Sequence, residues 1–255
     1  MSTTHHKAWT PAQALRFAWT IVSVFVVESL IVGFAALPTV AFFDWLASLD
    51  ISPSWLKVVI VSMSIIPAYV IFAIALMALS ATTMRVLGWR PPTSGDFEIA
   101  DLPPELCNWA RYMISTYVVR TLVGPLTQAT LVWTWYMRMN GATIGRRVWV
   151  NSLGVTDHCN IELGDDAVIG AGVHMSAHTV ERGVVHLAPV RVGSGSTIGV
   201  NSHVQIGVEI GDNCQIGSMS LVPKFSQLGP GTWAGLPVRQ IKPELESARE
   251  EIANE

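Results

Sequence analysis

Cut every six residues, positions 192–235 read VGSGST IGVNSH VQIGVE IGDNCQ IGSMSL VPKFSQ LGPGTW AG. An aliphatic residue opens each unit: Val192, Ile198, Val204, Ile210, Ile216, Val222, Leu228 and Ala234. Glycine follows at Gly193, Gly199, Gly211, Gly217, Gly229 and Gly235, with Gln205 and Pro223 as exceptions. Two glycine-bearing hexads thus alternate with one that lacks glycine, a super-period of eighteen residues. Self-similarity at a fixed period is the signature of a solenoid. The geometry follows directly. Three short strands and three corners close one triangular coil, each strand sends one aliphatic side chain inward, and glycine eases the tight corners. A coil buries its faces only against its neighbours, so several must stack.

Upstream the phase continues through Leu163, Ile169 and Met175, with Gly164, Gly170 and then Ser176 in second place. A still earlier coil is expected from Ile144-Gly145, Val150 and Thr156; the step from Thr156 to Leu163 is seven, so one residue bulges there. Between Met175 and Val192 the series breaks, which places an excursion loop over Thr179 to Pro189.

The N-terminal half has another character. The chain is 50% hydrophobic and only 14% charged, where soluble domains average about 25% charged. Phe17–Phe43 and Val58–Met84 are apolar runs longer than the roughly 20 residues that cross a bilayer. They predict two transmembrane helices, about 17–43 and 58–84, within an anchor over 1–90. A signal peptide has a shorter apolar core, so the first run is read as retained. Lys7 and Arg16 precede the first run and Arg85 and Arg90 follow the second, while the connection carries Asp44 and Asp50 with Lys57 at its edge. Positive residues favour the cytoplasmic side. Both termini and the β-helix are therefore expected in the cytoplasm, on an inner or plasma membrane. Glu28 inside the first run is either functional or a hydrogen-bonded contact between helices.

Residues 91–140 read as a Pro-rich linker and an amphipathic helix on the membrane surface, because aromatic residues and scattered arginines suit the headgroup region. A third span over 117–137 is the competing reading. The β-helix is expected over 141–241 and a tail over 242–255. The net charge of −3 gives no basis for nucleic-acid binding. Cys107, Cys159 and Cys214 lack zinc-type spacing and read as reduced thiols.

The phased hexads, with the ending Trp233-Ala234-Gly235-Leu236-Pro237-Val238-Arg239-Gln240-Ile241, resemble the hexapeptide-repeat acyltransferases. That ending is similar to the family's terminal G-x-P-A-x-x-I, with Val238 in place of alanine. The resemblance implies a left-handed parallel β-helix after the helical hairpin, a homotrimer, and active sites between neighbouring prisms. Ile169-Gly170-Ala171-Gly172-Val173-His174-Met175-Ser176-Ala177-His178 is similar to the segment where sugar and antibiotic acetyltransferases end a hexad on histidine before the excursion loop. It implies that His178 is the general base. Glu181 is a candidate to orient it, and His174, Asn201, Ser202, His203 and Trp233 are candidates to bind substrate or the pantetheine arm. The membrane helices followed by Asn140-Gly141-Ala142-Thr143-Ile144-Gly145 and the repeat also resemble the membrane-embedded terminal region of polylysine-synthetase-type peptide synthetases.

The function expected is transfer of an acyl or aminoacyl group from acyl-CoA or a carrier-protein thioester to a hydroxyl or amine at the bilayer. No metal is expected. Histidine is the usual base near neutral pH. Two alternatives stand beside this: a non-catalytic scaffold, and a zinc hydratase of the β-helical carbonic anhydrase type using His174, His178 and His203. Each imidazole also has a plainer reading as a surface or packing residue.

Overall fold

The computed structural model describes residues 9–241; Lys7 and the tail expected over 242–255 lie outside the described residues. Helix α1 spans Pro11–Ser48 and α2 spans Ser54–Val86. Pro11 stands in the first turn of α1, and Thr10 and Gln13 close a capping box on its first free N–H groups. At the other end Lys57 donates to the Ala47 and Leu49 carbonyls, a cation where the helix leaves acceptors unpaired. Both helices are long and apolar enough to cross a membrane, and only 28% and 11% of their most apolar windows are buried in the protein. Helices of a soluble core would hide that surface. Here Phe25, Phe34, Val58, Met63 and Ile66 stand exposed.

The stretch expected to hold one interfacial helix forms a strand and two helices. The strand is Gly95–Glu98, α3 is Pro104–Thr127 and α4 is Leu131–Met139. The chain breaks at Gln128, Ala129 (φ 59°) and Thr130, whose hydroxyl caps α4, so 117–137 is not one continuous helix. Helix α3 packs on α1 and α2, burying Tyr112, Ser115, Val119 and Val123. Glu28 accepts a hydrogen bond from Ser115 of α3, so its first partner is a helix–helix contact.

From Thr143 the chain winds into a parallel β-helix. One face stacks Ile144, Leu163, Val192, Ile210 and Leu228 in register. A second stacks Val150, Ile169, Ile198, Ile216 and Trp233. The third stacks Val155, Met175, Val204 and Val222. Two expected positions move by one residue: Val155 rather than Thr156 fills the first coil, and Trp233 rather than Ala234 pairs with Ile216. In both places, the first and the last coil, the step is one residue shorter than six. Corners are tight: a Cβ at Gly193 would lie 2.5 Å from the Asp212 backbone nitrogen in the next coil. One apolar core runs without interruption from Ile31 and Leu76 of the hairpin, through Val119 and Trp133, to Ile169 and Leu228 of the prism.

The excursion between Met175 and Val190 is an ordered hairpin, His178–Glu181 paired with Val184–Leu187. Its neck is closed by Ala188 N–H donating to Ala177 O at 3.0 Å. The strand Gly95–Glu98 adds to it antiparallel, Gly95 opposite Leu187 and Glu98 opposite Val184. The segment before α3 therefore braces the loop that follows the candidate base.

Candidate active site

Asp157 organises the site. The bulge expected after Thr156 is the single turn His158–Asn160, and Asp157 enters it with φ 53°. This left-handed conformation, one that aspartate tolerates better than most residues, turns the carboxylate back under the next coil. Its side chain has no solvent exposure. Oδ2 lies 2.6 Å from His178 Nδ1, and Oδ1 accepts from Trp109 Nε1 at 3.0 Å. Thr156 Oγ1 adds a third donor at 3.1 Å. Burial alone would raise this carboxyl, but the hydrogen bonds from His178, Trp109 and Thr156, with the His178 charge, outweigh it and hold it below the ordinary aspartate range.

His178 begins the excursion hairpin, so the hairpin's register fixes its backbone. Ser176, at the last regular position before the break, donates its hydroxyl to the His178 carbonyl at 3.1 Å. The Trp109 indole meets the His178 ring edge-on, with centroids 5.0 Å apart. With Nδ1 committed to Asp157, Nε2 is the ring nitrogen available to a substrate, a tautomer assigned from this hydrogen bond. A buried carboxylate and an oriented, partly exposed imidazole can accept a proton from a hydroxyl or amine.

His174 and His203 are register partners on successive coils, their rings 4.6 Å apart. Burial first, then the neighbouring His203, His178 and Arg120, push the His174 imidazole below its ordinary range, so it favours the neutral form. Among the described residues no group of three His, Cys, Asp or Glu side chains is arranged to hold a metal ion.

The remaining candidates are placed elsewhere. Glu181 pairs with Lys224 at the far end of the strand, and the carboxylate on His178 is that of Asp157. Ser202 is buried; its hydroxyl donates to Gly217 O and accepts from Ser220 N–H, tying two coils together. Asn201 is a corner residue at φ 55° whose N–H donates to Ala171 O. Trp233 packs on the last coil, and its indole donates to Gly229 O at 3.0 Å. His186 pairs with Asp96 on the bracing strand. Asp157 and Trp109 were not among the residues that the sequence pattern singles out as site candidates. The seven-residue step pointed to a bulge at Asp157 without giving it a partner, and Trp109 was one of many aromatic residues in its segment.

The family model for the hexapeptide repeat of succinyl-transferase matches residues 141–177 and 189–218, and the gap between the two matches coincides with the excursion hairpin. The Escherichia coli K12 galactoside O-acetyltransferase is 32% identical over 108 residues, 39% of this chain and 52% of the relative. The delta-poly-L-ornithine synthetase of Acinetobacter baumannii AB307-0294 is 26% identical over 131 residues, 51% of this chain and 10% of the relative. The chain thus spans about half the length of one curated relative and a tenth of the other. Among solved structures, a maltose O-acetyltransferase from Clostridium difficile 630 superposes with a TM-score of 0.40 at 19% identity, covering 51% of this chain and 87% of that one.

Proposed function

We propose that the protein is a membrane-anchored acyltransferase whose catalytic domain is the β-helix over 141–241 and in which the Asp157–His178 pair is the base. The single observation behind this reading is the 2.6 Å contact between a fully buried carboxylate and a histidine at the break in the repeat. Asp157 holds the Nδ1–H tautomer and stabilises the imidazolium that forms during turnover. His178 Nε2 takes the proton of an acceptor hydroxyl or amine as its oxygen or nitrogen attacks the thioester carbonyl carbon. The carbonyl electrons move to oxygen, return as the C–S bond breaks, and the departing thiolate takes the proton from Nε2. The donor is acyl-CoA or a carrier-bound thioester; the two relatives, one an O-acetyltransferase and one a poly-ornithine synthetase, point to acyl and aminoacyl groups respectively.

In this reading α1 and α2 anchor the protein in an inner or plasma membrane, with the prism cytoplasmic and assembled as a homotrimer. His174 and His203, paired beside the base, are the substrate-contacting residues of the cleft. The test is release of free thiol from acetyl-CoA, and from an acylated carrier protein, by the full chain in detergent. His178→Ala reduces turnover by roughly 10²–10⁴-fold, the usual contribution of a positioned acid–base group. The trimer mass by native mass spectrometry stays unchanged, because His178 is not an inward position of the repeat. His186→Ala, whose ring is engaged by Asp96, keeps near-normal turnover. Equal losses in His174→Ala, His178→Ala and His203→Ala, restored by zinc, would replace this reading with the hydratase.

A further inference from the structure

A cavity of about 220 Å³ lies between α1, α3 and the excursion hairpin. Its walls include Phe17 and Ile21 from α1, Leu106 and Ala110 from α3, and Val180 and Val185 from the hairpin. Thr20 brings a hydroxyl to the wall, but donates it to Arg16 O within its own helix. The lining therefore offers an occupant dispersion contacts and almost no hydrogen bonds. One further wall is Trp109, the same indole that meets His178 edge-on and donates to Asp157. The cavity is thus separated from the His178–Asp157 pair by one side chain.

Phe17, Ile99, Ile114 and Val180 of its lining are exposed, so the mouth runs from α1 and α3 to the excursion hairpin. Phe17, Ile21 and Phe25 are spaced four apart and form one stripe on α1, continuing from the cavity onto the exposed apolar surface of that helix. Pockets that enclose whole small molecules measure about 300–1,000 Å³. This one is smaller and open at the apolar end, which suits a length of hydrocarbon chain entering from the bilayer.

We infer that the cavity holds the hydrocarbon chain of a membrane lipid whose polar head presents the acceptor hydroxyl or amine to His178. This deepens the acyl-transfer reading and rests on it. The chain would fix the acceptor at a set depth, and Trp109 would be the partition between tail and reacting head.

Photolabelling decides the inference without requiring turnover. The full chain is placed in phosphatidylcholine vesicles containing a monoacylglycerol with a diazirine in its acyl chain, and labelled peptides are identified by mass spectrometry. Label on peptides covering 102–114 and 180–185 is expected, and it persists in His178→Ala. Ala110→Trp, which fills the cavity from α3, reduces that label to the level of the outer face of α2. Label confined to the outer faces of α1 and α2 in the wild-type chain would overturn the inference, whatever the variant does. So would Ala110→Trp blocking transfer from long-chain thioesters while sparing acetyl transfer to the lipid, because the occupant would then be the donor's chain. Labelling at the cavity in a protein with no transferase activity would leave lipid binding intact and remove the acyl-transfer reading instead.

Discussion

His178 and Asp157 are 21 residues apart in sequence and 2.6 Å apart in space, and the identity of each atom in that contact matters. Asp157→Asn keeps the size of the side chain but replaces one acceptor oxygen by an N–H donor. Facing an amide donor, His178 would present its Nδ1 lone pair and carry the proton on Nε2, where it cannot serve as a base. Turnover is expected to fall by roughly 10²–10⁴-fold with the fold retained, read as thiol release beside a circular-dichroism melt. Near-wild-type turnover would remove Asp157 from the mechanism. The neighbouring His158 tests a different property. It is buried against Trp133 and Tyr136, its Nε2–H donates to Val155 O, and burial lowers its imidazole to about 4. The unfolded chain protonates near 6.5 and the folded chain only near 4, so stability is full above pH 6.5 and is lost as pH falls between these values. The loss amounts to about 3 kcal/mol. Thermal melts in detergent from pH 7 to 4 should show this decline, and His158→Leu should flatten it; an equal decline in the variant would show that other groups dominate.

Among the elements, the excursion hairpin matters most to the site. Its strands carry His178 at one end and form the cavity wall at Val180 and Val185. It is held by the strand Gly95–Glu98, whose Phe97 packs with Leu106, Val185, Leu187 and Trp109. Phe97→Ala removes that ring and is expected to cost about 0.5–3 kcal/mol, the common range for such truncations. The effect should be local: faster amide exchange over 178–187 and lower turnover, with exchange in the coils from Val192 onward unchanged. Uniform exchange across the prism would mean that the hairpin and prism open as one unit. The hexad break showed a loop here. Pairing with a strand some ninety residues earlier had no signal in either segment, since Gly95–Glu98 is four residues long with no repeat.

For the whole molecule, the shared core makes orientation an all-or-none property. The helical hairpin, α3, α4 and the first coils share one packed core, so in the proposed anchoring the prism is placed together with the start of α1 and the end of α2, on one side of the bilayer. A reporter fused after Glu255 is expected to read as cytoplasmic, and one inserted between Asp44 and Asp50 as external. An external C-terminal reporter would reverse the proposed topology and the compartment in which a thioester is available.

The sequence by itself determined the repeat, its eighteen-residue coil, the two long apolar helices and the histidine at the break. Each is a local or periodic pattern: a side chain's direction repeats along a strand or helix, so burial leaves a rhythm that can be counted. The tertiary structure decided the partner of that histidine, the ordering of the loop and the docking of the helices onto the prism. Asp157 reaches His178 across a coil boundary, Trp109 reaches Asp157 from a helix 48 residues away, and Glu181 turns to Lys224. Such contacts join segments that carry no shared period, and their positions depend on how coils, helices and hairpin pack against one another.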